Sequence, residues 1–242
     1  AFRGFGGPQG MFVIEAALHK ASIEMGIPRH VLQAKNLLQE AGKFYYGQSV
    51  KNCNALPCWN ELLSKVDIPK LENDINKFNK KNKFYKKGFA LMPICFGISF
   101  TNTFLNQANA LVNIYTDGTV NISSAAVEMG QGVNMKLRQV AQKIFSIKID
   151  NIRIESTNTS RAANGSPTAA STGADLNGKA VEAACKTIIE RLLKFAREQL
   201  NLKRDDKIEI NDGNLVVNGK SSGMEWVELI QLAYRNRISL SA

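Results

Sequence analysis

Apolar residues recur every three to four positions in the first third of the chain, a spacing that predicts amphipathic helices. Prolines lie near the start of three of these segments, where a missing backbone N–H costs nothing. The predicted helices span residues 8–26, 28–40, 57–66 and 69–82. In the first of them the spacing predicts a buried stripe made of Phe12, Ala16, His19 and Ile23.

From Gly88 onward the pattern changes to short runs that are typical of strands. Residues 88–100 are apolar but interrupted by Pro93 and Gly97, which favours a buried, kinked strand. Asp-Gly pairs at 117–118 and 212–213 separate alternating segments and predict two hairpins. Further elements are a strand over 151–156 and helices over 133–145, 173–200 and 224–236. The predicted fold class is α+β, with a mostly helical domain over 1–87 and an α+β domain over 88–242.

Composition excludes several classes of protein. The 242 residues are 44% hydrophobic, which is ordinary for a globular protein, and no run of eighteen apolar residues predicts a membrane span. The four cysteines form no Cys-x-x-Cys pair, so zinc and iron–sulfur spacings are absent. We therefore expect reduced thiols in a cytoplasmic protein. His19 and His30 lie in helical patterns and are interpreted as structural.

The formal net charge of +10 is concentrated in one stretch. Eight lysines against three acidic residues lie between Lys65 and Lys87, interleaved with Phe78, Phe84 and Tyr85. Such a pattern also occurs in RNA-binding patches, and it keeps open a basic, non-catalytic nucleic-acid-binding module as an alternative. The interpretation we favour is a solvated lysine-rich helix, since no RNA-binding motif accompanies the charge.

Three glycine-rich loops each precede a predicted helix, at residues 2–9 (FRGFGGPQ), 128–132 (EMGQG) and 164–173 (NGSPTAASTG). Loops of this kind leave backbone N–H groups free to bind a phosphate, an oxo group or a heterocycle. None of them fits the P-loop or the dinucleotide-binding spacing. Three such loops in one chain predict a large polar cofactor that is held at several points.

Seven segments occur in the order and at the spacing found in xanthine dehydrogenases: FRGFGGPQG, FGISFT, FLNQA, YTDGTV, EMGQGVNMK, SPTAAS and ADLNGKAV. The chain thus resembles an internal segment of the molybdenum-cofactor domain of that family, taken from a longer polypeptide. The resemblance implies an enzyme that hydroxylates hypoxanthine or xanthine with water-derived oxygen at a molybdenum-molybdopterin cofactor. Electrons then leave through iron–sulfur clusters to FAD, both expected elsewhere in the complete enzyme.

The resemblance also implies site residues. Phe5 and Phe100 would clamp a flat heterocycle, and the Thr101 hydroxyl would contact it. No side chain of this segment would ligate the metal, but the backbone N–H groups of Arg3 and Ala170 would face its ligands. The cofactor-binding set is Arg3, Gly130, Gln131, Ala170, Ser171, Thr172 and Gly173.

No catalytic residue is assigned, because the family's general base lies in a downstream Gly-Glu-Pro motif and this sequence has no Gly-Glu pair. Glu128 lies in the cofactor loop and is not assigned as the base. We therefore expect the isolated chain to be inactive. Its partners would be the remaining molybdenum-domain segments, the iron–sulfur and FAD domains or subunits and a purine, in a dimer of the full enzyme, without nucleic acid or membrane.

One departure from the sequence pattern of the xanthine dehydrogenases leaves the identity of the substrate undecided. This sequence has SSAAVEMGQG where xanthine dehydrogenases often have His-Gly-Gly-Thr before the glutamate. An aldehyde oxidase or another N-heterocycle hydroxylase of the same family is the alternative, although aldehyde oxidases usually lack the FRGFGG and FGISFT pair.

Overall fold

The computed structural model describes residues 4, 6–100, 102–155 and 157–242. The described residues divide into two compact units: a helical unit within residues 6–97, and an α/β unit within residues 98–242 that also includes Gly4. The division follows Gly97. The assignment of 1–87 and 88–242 to two cofactor subdomains stays a prediction. In the described part of the chain, no helix combines the length and the hydropathy needed to cross a bilayer.

The helical unit contains α1 (Gly7–Met25), α2 (Arg29–Lys35), α3 (Ala55–Lys65) and α4 (Ile68–Lys81). Three of these agree with the predicted helices to within two residues. The second prediction, 28–40, was wrong beyond Lys35. Helix α2 ends there because the Asn36 side chain donates from Nδ2 to the Leu32 carbonyl at 2.8 Å and competes with the helical hydrogen-bond pattern.

The predicted buried stripe on α1 was also wrong. Phe12 and Ile23 are 74% and 69% exposed, and α1 has no fully buried residue. The helix turns Glu15 inward instead, where its Oε2 accepts a 2.6 Å hydrogen bond from Nε2 of Gln33. Gln33 is almost completely buried, and the hydrogen bond that its Nε2 donates to Glu15 sets the rotation of the helix, while its Oε1 has no partner among the described residues. Among the described residues of this unit, the buried apolar ones are Leu32, Val50, Trp59 and Ile68.

Residues 88–100 form no strand, which corrects the prediction for this segment. Met92, Ile94 and Phe96 are each 46% or more exposed. A strand needs a neighbour to accept and donate its backbone hydrogen bonds, and Pro93 has no N–H to donate. Among the described residues of the helical unit, the only β pairing is an isolated bridge between Lys43 and Ser49.

The first sheet of the α/β unit confirms the first predicted hairpin. Strands β1 (Ala110–Ile114) and β2 (Val120–Ser124) are antiparallel around the Asp117-Gly118 turn. The Asp117 carboxylate accepts hydrogen bonds from the N–H and hydroxyl of Thr119, which lower the pKa of Asp117 and fix the turn. Helix α5 (Val133–Phe145) then leads to β3 (Ile152–Ile154), which is parallel to β2.

The last residues of the chain complete the other edge of this sheet. The N–H of Val112 donates to the Ala242 carbonyl and the N–H of Ile114 to the Leu240 carbonyl, both at 2.9 Å. Asn113 and Ser241 form the intervening bridge. Nothing in the sequence pattern predicted this pairing.

The second sheet is an antiparallel meander of β4 (Ile208–Asn211), β5 (Asn214–Val217) and β6 (Lys220–Glu225). It follows the longest helix, α6 (Gly173–Gln199), and precedes α7 (Trp226–Arg235). Strand β6 was missed because its sequence, KSSGME, lacks an apolar alternation.

Trp226 connects the turns of the two Asp-Gly hairpins. Its indole Nε1 donates to the Gly118 carbonyl and its backbone N–H to the Gly213 carbonyl, both at 2.8 Å. Below this connection, apolar residues of the first sheet pack against α5 and α6. The central, fully buried side chains include Val112, Ile122, Leu137, Phe145, Ile188 and Leu192.

Candidate functional site

Two of the three predicted glycine-rich loops meet along one cleft of the α/β unit. The cleft has a volume of about 180 Å³ and lies between residues 129–136 and residues 168–174. Gln131, Ser171 and Gly173, all predicted to bind the cofactor, line it together with Lys136. The two loops are joined directly, because the Val127 N–H donates to Oγ1 of Thr168 at 2.9 Å.

The start of α5 is already capped by the protein itself. The Glu128 carboxylate accepts hydrogen bonds from the N–H groups of Gly130, Gly132 and Asn134, at 2.9, 2.9 and 3.0 Å. These donors, the Asn134 N–H first, hold the pKa of Glu128 below its usual value. The expectation that the EMGQG loop leaves these N–H groups free for a ligand was therefore wrong, and Glu128 acts as a helix cap.

The start of α6 is open. The N-cap residue Thr172 makes no capping bond to the first turn, since its hydroxyl donates to the Ala169 carbonyl at 3.0 Å. The N–H groups of Gly173 and Ala174 have no acceptor among the described residues. Both residues line the cleft, so the positive end of a 27-residue helix faces it.

The loop that precedes α6 is strained. Ala170 and Ser171 have φ angles of 50° and 59°, a left-handed conformation that costs non-glycine residues about 1–2 kcal/mol each. Their backbone N–H groups also have no acceptor among the described residues. Unpaired backbone N–H groups can donate to an anion or another acceptor, and strain of this kind is typical of functional loops.

Gln131 is braced by its own loop. Its Oε1 accepts from the Met129 N–H at 2.6 Å and its Nε2 donates to the Val127 carbonyl at 2.8 Å. A primary amide has two donors and two lone pairs, so one of each remains for a ligand in the cleft. Gln131 therefore presents a fixed amide to the cleft, along with Lys136.

Phe100, predicted to contact substrate, is half-buried and held through its backbone. Asn106 accepts from the Phe100 N–H at 2.9 Å and donates to the Phe100 carbonyl at 3.1 Å. The preceding residue, Ser99, has a φ of 100° and donates its N–H to the Ala170 carbonyl at 3.0 Å. The predicted aromatic clamp residue is thus tied to the predicted cofactor loop.

The loop over 163–173 is further anchored to residues 104–109. The Ser166 N–H donates to the Gln107 carbonyl, and the Gln107 N–H donates to Oγ of Ser166, both at 3.2 Å. Asn109 donates to the Ala163 carbonyl. At Gly165 the backbone lies so close to Ala125 that an added Cβ would be 2.3 Å from the Ala125 Cβ. Glycine is required here because of this close approach.

A buried polar pair ties the first turn of α6 to the end of β2. Oγ of Ser124 donates to Oδ1 of Asn177 at 3.1 Å, and Nδ2 of Asn177 donates to the Gly173 carbonyl at 3.1 Å. Both side chains are more than 90% buried. These two buried hydrogen bonds therefore fix the position of the uncapped start of α6 relative to β2.

The remaining predicted residues are placed differently. Gly130 is exposed with a φ of 94°, and Thr172 is buried under the loop. Neither of them lines the cleft, and nor does Ala170. Arg3, Phe5 and Thr101 lie outside the described residues. The positioning roles of Asn106, Thr168 and Asn177 were missed, although the three residues lie in the quoted segments FLNQA, SPTAAS and ADLNGKAV.

A sequence profile described as "Molybdopterin cofactor-binding domain" matches residues 61–242. This chain belongs to the molybdopterin cofactor-binding domain family. Over its full length it is 40% identical to xanthine dehydrogenase/oxidase of Gallus gallus and 36% identical to that of Mus musculus. It spans only 16% of the length of each. Quinoline 2-oxidoreductase from Pseudomonas putida 86 has the same fold, with a TM-score of 0.75 at 19% identity over 96% of this chain and 32% of that one.

The cleft fits part of the cofactor for which this family is named. Unpaired N–H groups at the start of α6 and in the loop before it converge with Lys136, a donor set suited to an anionic or oxygen-rich group. Within the described residues no cluster of His, Cys, Asp or Glu is arranged to ligate a metal ion. The donors present suit a cofactor held by hydrogen bonds to its organic part.

Proposed function

We propose that this chain forms part of the cofactor site of a molybdopterin-dependent hydroxylase of the xanthine dehydrogenase type. The observation that carries the proposal is the cleft itself. It joins Gln131, Ser171 and Gly173 next to an uncapped helix start, in a chain similar to xanthine dehydrogenases over its whole length. When bound, the molybdenum cofactor would supply the oxidising centre that inserts water-derived oxygen into an electron-poor ring carbon.

The chain's own residues would bind and orient the cofactor and the substrate. The N–H groups of Ala170, Ser171 and Gly173 would donate to the cofactor, and the braced amide of Gln131 would fix its rotation. Arg3 is proposed to contribute its N–H in the same way as Ala170. Phe100, with Phe5, would stack on a flat substrate and exclude water from it, while Thr101 would hydrogen-bond its polar edge.

The finer features of the enzyme are proposals of the same kind. A purine such as hypoxanthine or xanthine is the proposed substrate, which would place the protein in purine catabolism in the cytoplasm. The other segments of the molybdenum domain and iron–sulfur and FAD modules would complete the electron path in a dimer. An aldehyde oxidase or another N-heterocycle hydroxylase is the second candidate, supported by the same fold in quinoline 2-oxidoreductase.

Nothing in the comparisons supports the nucleic-acid alternative. In the lysine-rich stretch, the Lys87 ammonium lies 4.2 Å from the centroid of the Phe78 ring. That aromatic face is therefore already used by a cation of the same segment. The affinity for single-stranded RNA should be no higher than that of any protein surface with a similar charge, and it should disappear at moderate salt concentration.

The experiment uses the full-length enzyme that contains this segment, with the substitution Phe100→Ala. Loss of one stacking ring should weaken xanthine turnover by about 5- to 150-fold, the range for one stacked base. Molybdenum and pterin content should not change, because other residues hold the cofactor. Phe104→Ala, at a 72% exposed phenylalanine nearby, is the matched control and should leave the kinetics unchanged.

An unstable, molybdenum-poor Phe100→Ala enzyme would show that Phe100 is a packing residue and would count against the clamp. Comparing xanthine, an aromatic aldehyde and quinoline as substrates of the wild-type enzyme separates the two candidate functions. The substrate with the highest kcat/KM identifies the class.

A further inference from the structure

Helix α1 is apolar over most of its circumference. Phe12, Val13 and Ile14 follow one another, so they point to sides of the helix about 100° apart, and each side chain is more than half exposed. Ile23 and Met25, near the other end of the helix, are also more than half exposed. A helix that is apolar all round is typical of the interior of a large protein.

The helical unit does not form a hydrophobic core that could cover α1. The contiguous cluster of buried apolar residues lies within the α/β unit. In the helical unit, the described residues bury only Leu32, Val50, Trp59 and Ile68, and none of these belongs to α1. A compact unit of about ninety residues normally closes one continuous core. The apolar surface of α1 is therefore surface that another polypeptide has to cover.

One side of α1 has the regular spacing of a packing surface. Its residues recur every three or four positions, so they lie above one another, and all four are exposed. They are Phe12, Ala16, His19 and Ile23, and we call this side the α1 stripe. Beside it, Lys20 and Glu24 form an exposed ion pair at 3.8 Å. Because lysine is almost never fully buried, this pair marks the part of the helix that suits solvent.

The amount of polypeptide outside this chain favours a segment of the same enzyme as the partner of the α1 stripe. This chain spans 16% of the length of the xanthine dehydrogenases to which it is similar. The four side chains of the stripe offer on the order of 400 Å², about half of the roughly 800 Å² that each partner buries in a stable complex. A second copy would therefore be held weakly, whereas a segment of the same polypeptide is tethered close by and needs less area.

We propose that α1 is an internal helix of the complete enzyme, and that a polypeptide segment outside these 242 residues packs its apolar side chains on the α1 stripe. The proposal rests on the proposed function only in that it takes this chain as part of a larger enzyme. Helix α1 begins within the segment FRGFGGPQ, which also holds Arg3 and Phe5. Docking of the helix would therefore also anchor the end of a loop that is proposed to contact the cofactor and the substrate.

Thiol alkylation in the full-length enzyme tests whether the α1 stripe is covered. Phe12→Cys and Ile23→Cys each place a thiol in the stripe, and Lys20→Cys, on the adjoining exposed side, is the matched control. In the native enzyme the two stripe thiols should react with iodoacetamide at least about tenfold more slowly than the control, because a covered thiol reacts only when the interface opens. Peptide mass spectrometry distinguishes them from the native cysteines.

Denaturant provides the reference for these rates, since all three thiols should react equally fast once the enzyme is unfolded. Ala16→Cys changes the volume of the stripe least, and it repeats the test if the enzyme does not fold without Phe12 or Ile23. Stripe thiols that react as fast as the Lys20→Cys thiol in the native enzyme would overturn the proposal.

Photo-crosslinking identifies what covers the stripe. With Phe12→benzoylphenylalanine in the full-length enzyme, irradiation should join position 12 to a peptide of the same polypeptide that lies outside these 242 residues. The product should keep the mass of one subunit. A link to the stripe of a second copy, to another protein or to residues 98–242 would refute the proposed partner, as would the absence of any link.

The same preparations separate this proposal from the proposed function. A stripe that labels rapidly in an enzyme that hydroxylates xanthine would refute only the docking of α1. A protected stripe in an enzyme that oxidises neither xanthine, an aromatic aldehyde nor quinoline would support the docking and refute the proposed function.

Discussion

Gly165→Ala tests whether the close contact beneath the cofactor loop is needed. The new Cβ would lie 2.3 Å from the Ala125 Cβ, and the two carbons must separate by at least about 1 Å to reach ordinary contact. The backbone around Gly165 cannot move freely, because the residues on either side of it are held by hydrogen bonds. The Gln107 N–H donates to Oγ of Ser166, and Asn109 donates to the Ala163 carbonyl. We expect the free energy of unfolding to fall by about 1–3 kcal/mol, the usual cost of overpacking.

The same displacement should reach the donors of the cleft. Residues 166–173 continue directly from Gly165, so a shift of that size would misplace the N–H groups of Ala170 and Ser171. Errors of about 1 Å in positioning groups are costly to function. Molybdenum content of the full-length enzyme should therefore fall together with stability.

A double-mutant cycle isolates the contact. Ala125→Gly removes the opposing Cβ, and the next atom that the new methyl meets is the Ala125 Cα at 3.8 Å. The double variant should therefore recover at least about 1 kcal/mol relative to the sum of the two single changes. Chemical denaturation measures all four proteins. A Gly165→Ala protein within about 0.5 kcal/mol of wild type, or a double variant without recovery, would refute the reasoning.

Three further predictions concern individual side chains. Asn177→Ala should lower the free energy of unfolding by about 1–3 kcal/mol, because the buried Ser124 hydroxyl loses its acceptor. Lys179→Ala, on the exposed side of α6, should change it little, and equal effects of the two variants in denaturation curves would argue against the Ser124–Asn177 pair. The pKa of Glu128 in the folded protein lies below its ordinary value of 4.5, so the helix cap should stabilise the protein fully at pH values above 4.5. This stabilisation should be lost as the pH falls through the folded pKa, and the melting temperatures of wild type and Glu128→Gln should therefore converge in acid. Burial raises the pKa of Cys185 to about 12, so this thiol should resist alkylation at pH 8 until the protein unfolds, and fast native labelling would contradict its placement in the core.

Local signals in the sequence were sufficient for much of the fold. The Asp-Gly turns at 117–118 and 212–213 need only neighbouring residues, and both hairpins are present. The pairing of Val112 with Ala242 joins residues that are far apart in the sequence and has no local signature. The rotation of α1 depends in the same way on Gln33, which lies outside that helix.

In the candidate site, too, local sequence predicted some features and missed those that depend on the three-dimensional structure. Small residues ahead of α5 and α6 predicted open helix starts, and the start of α6 is open. At α5 the acceptor Glu128 and two of its three donors, Gly130 and Gly132, were visible in EMGQG, but which oxygen each N–H reaches depends on the three-dimensional path of the loop. Capping by Glu128 therefore could not be separated from ligand binding by sequence alone.

The pairing of β1 with residues 240–242 has a consequence for how the protein is made. As the chain leaves the ribosome, β1 and β2 can form their hairpin at once, but the other edge of β1 stays open until more than a hundred further residues have been added. An open edge is a template for pairing with a neighbouring nascent chain. High expression should therefore favour aggregation through β1, and a chaperone that binds the nascent chain should protect this edge in particular.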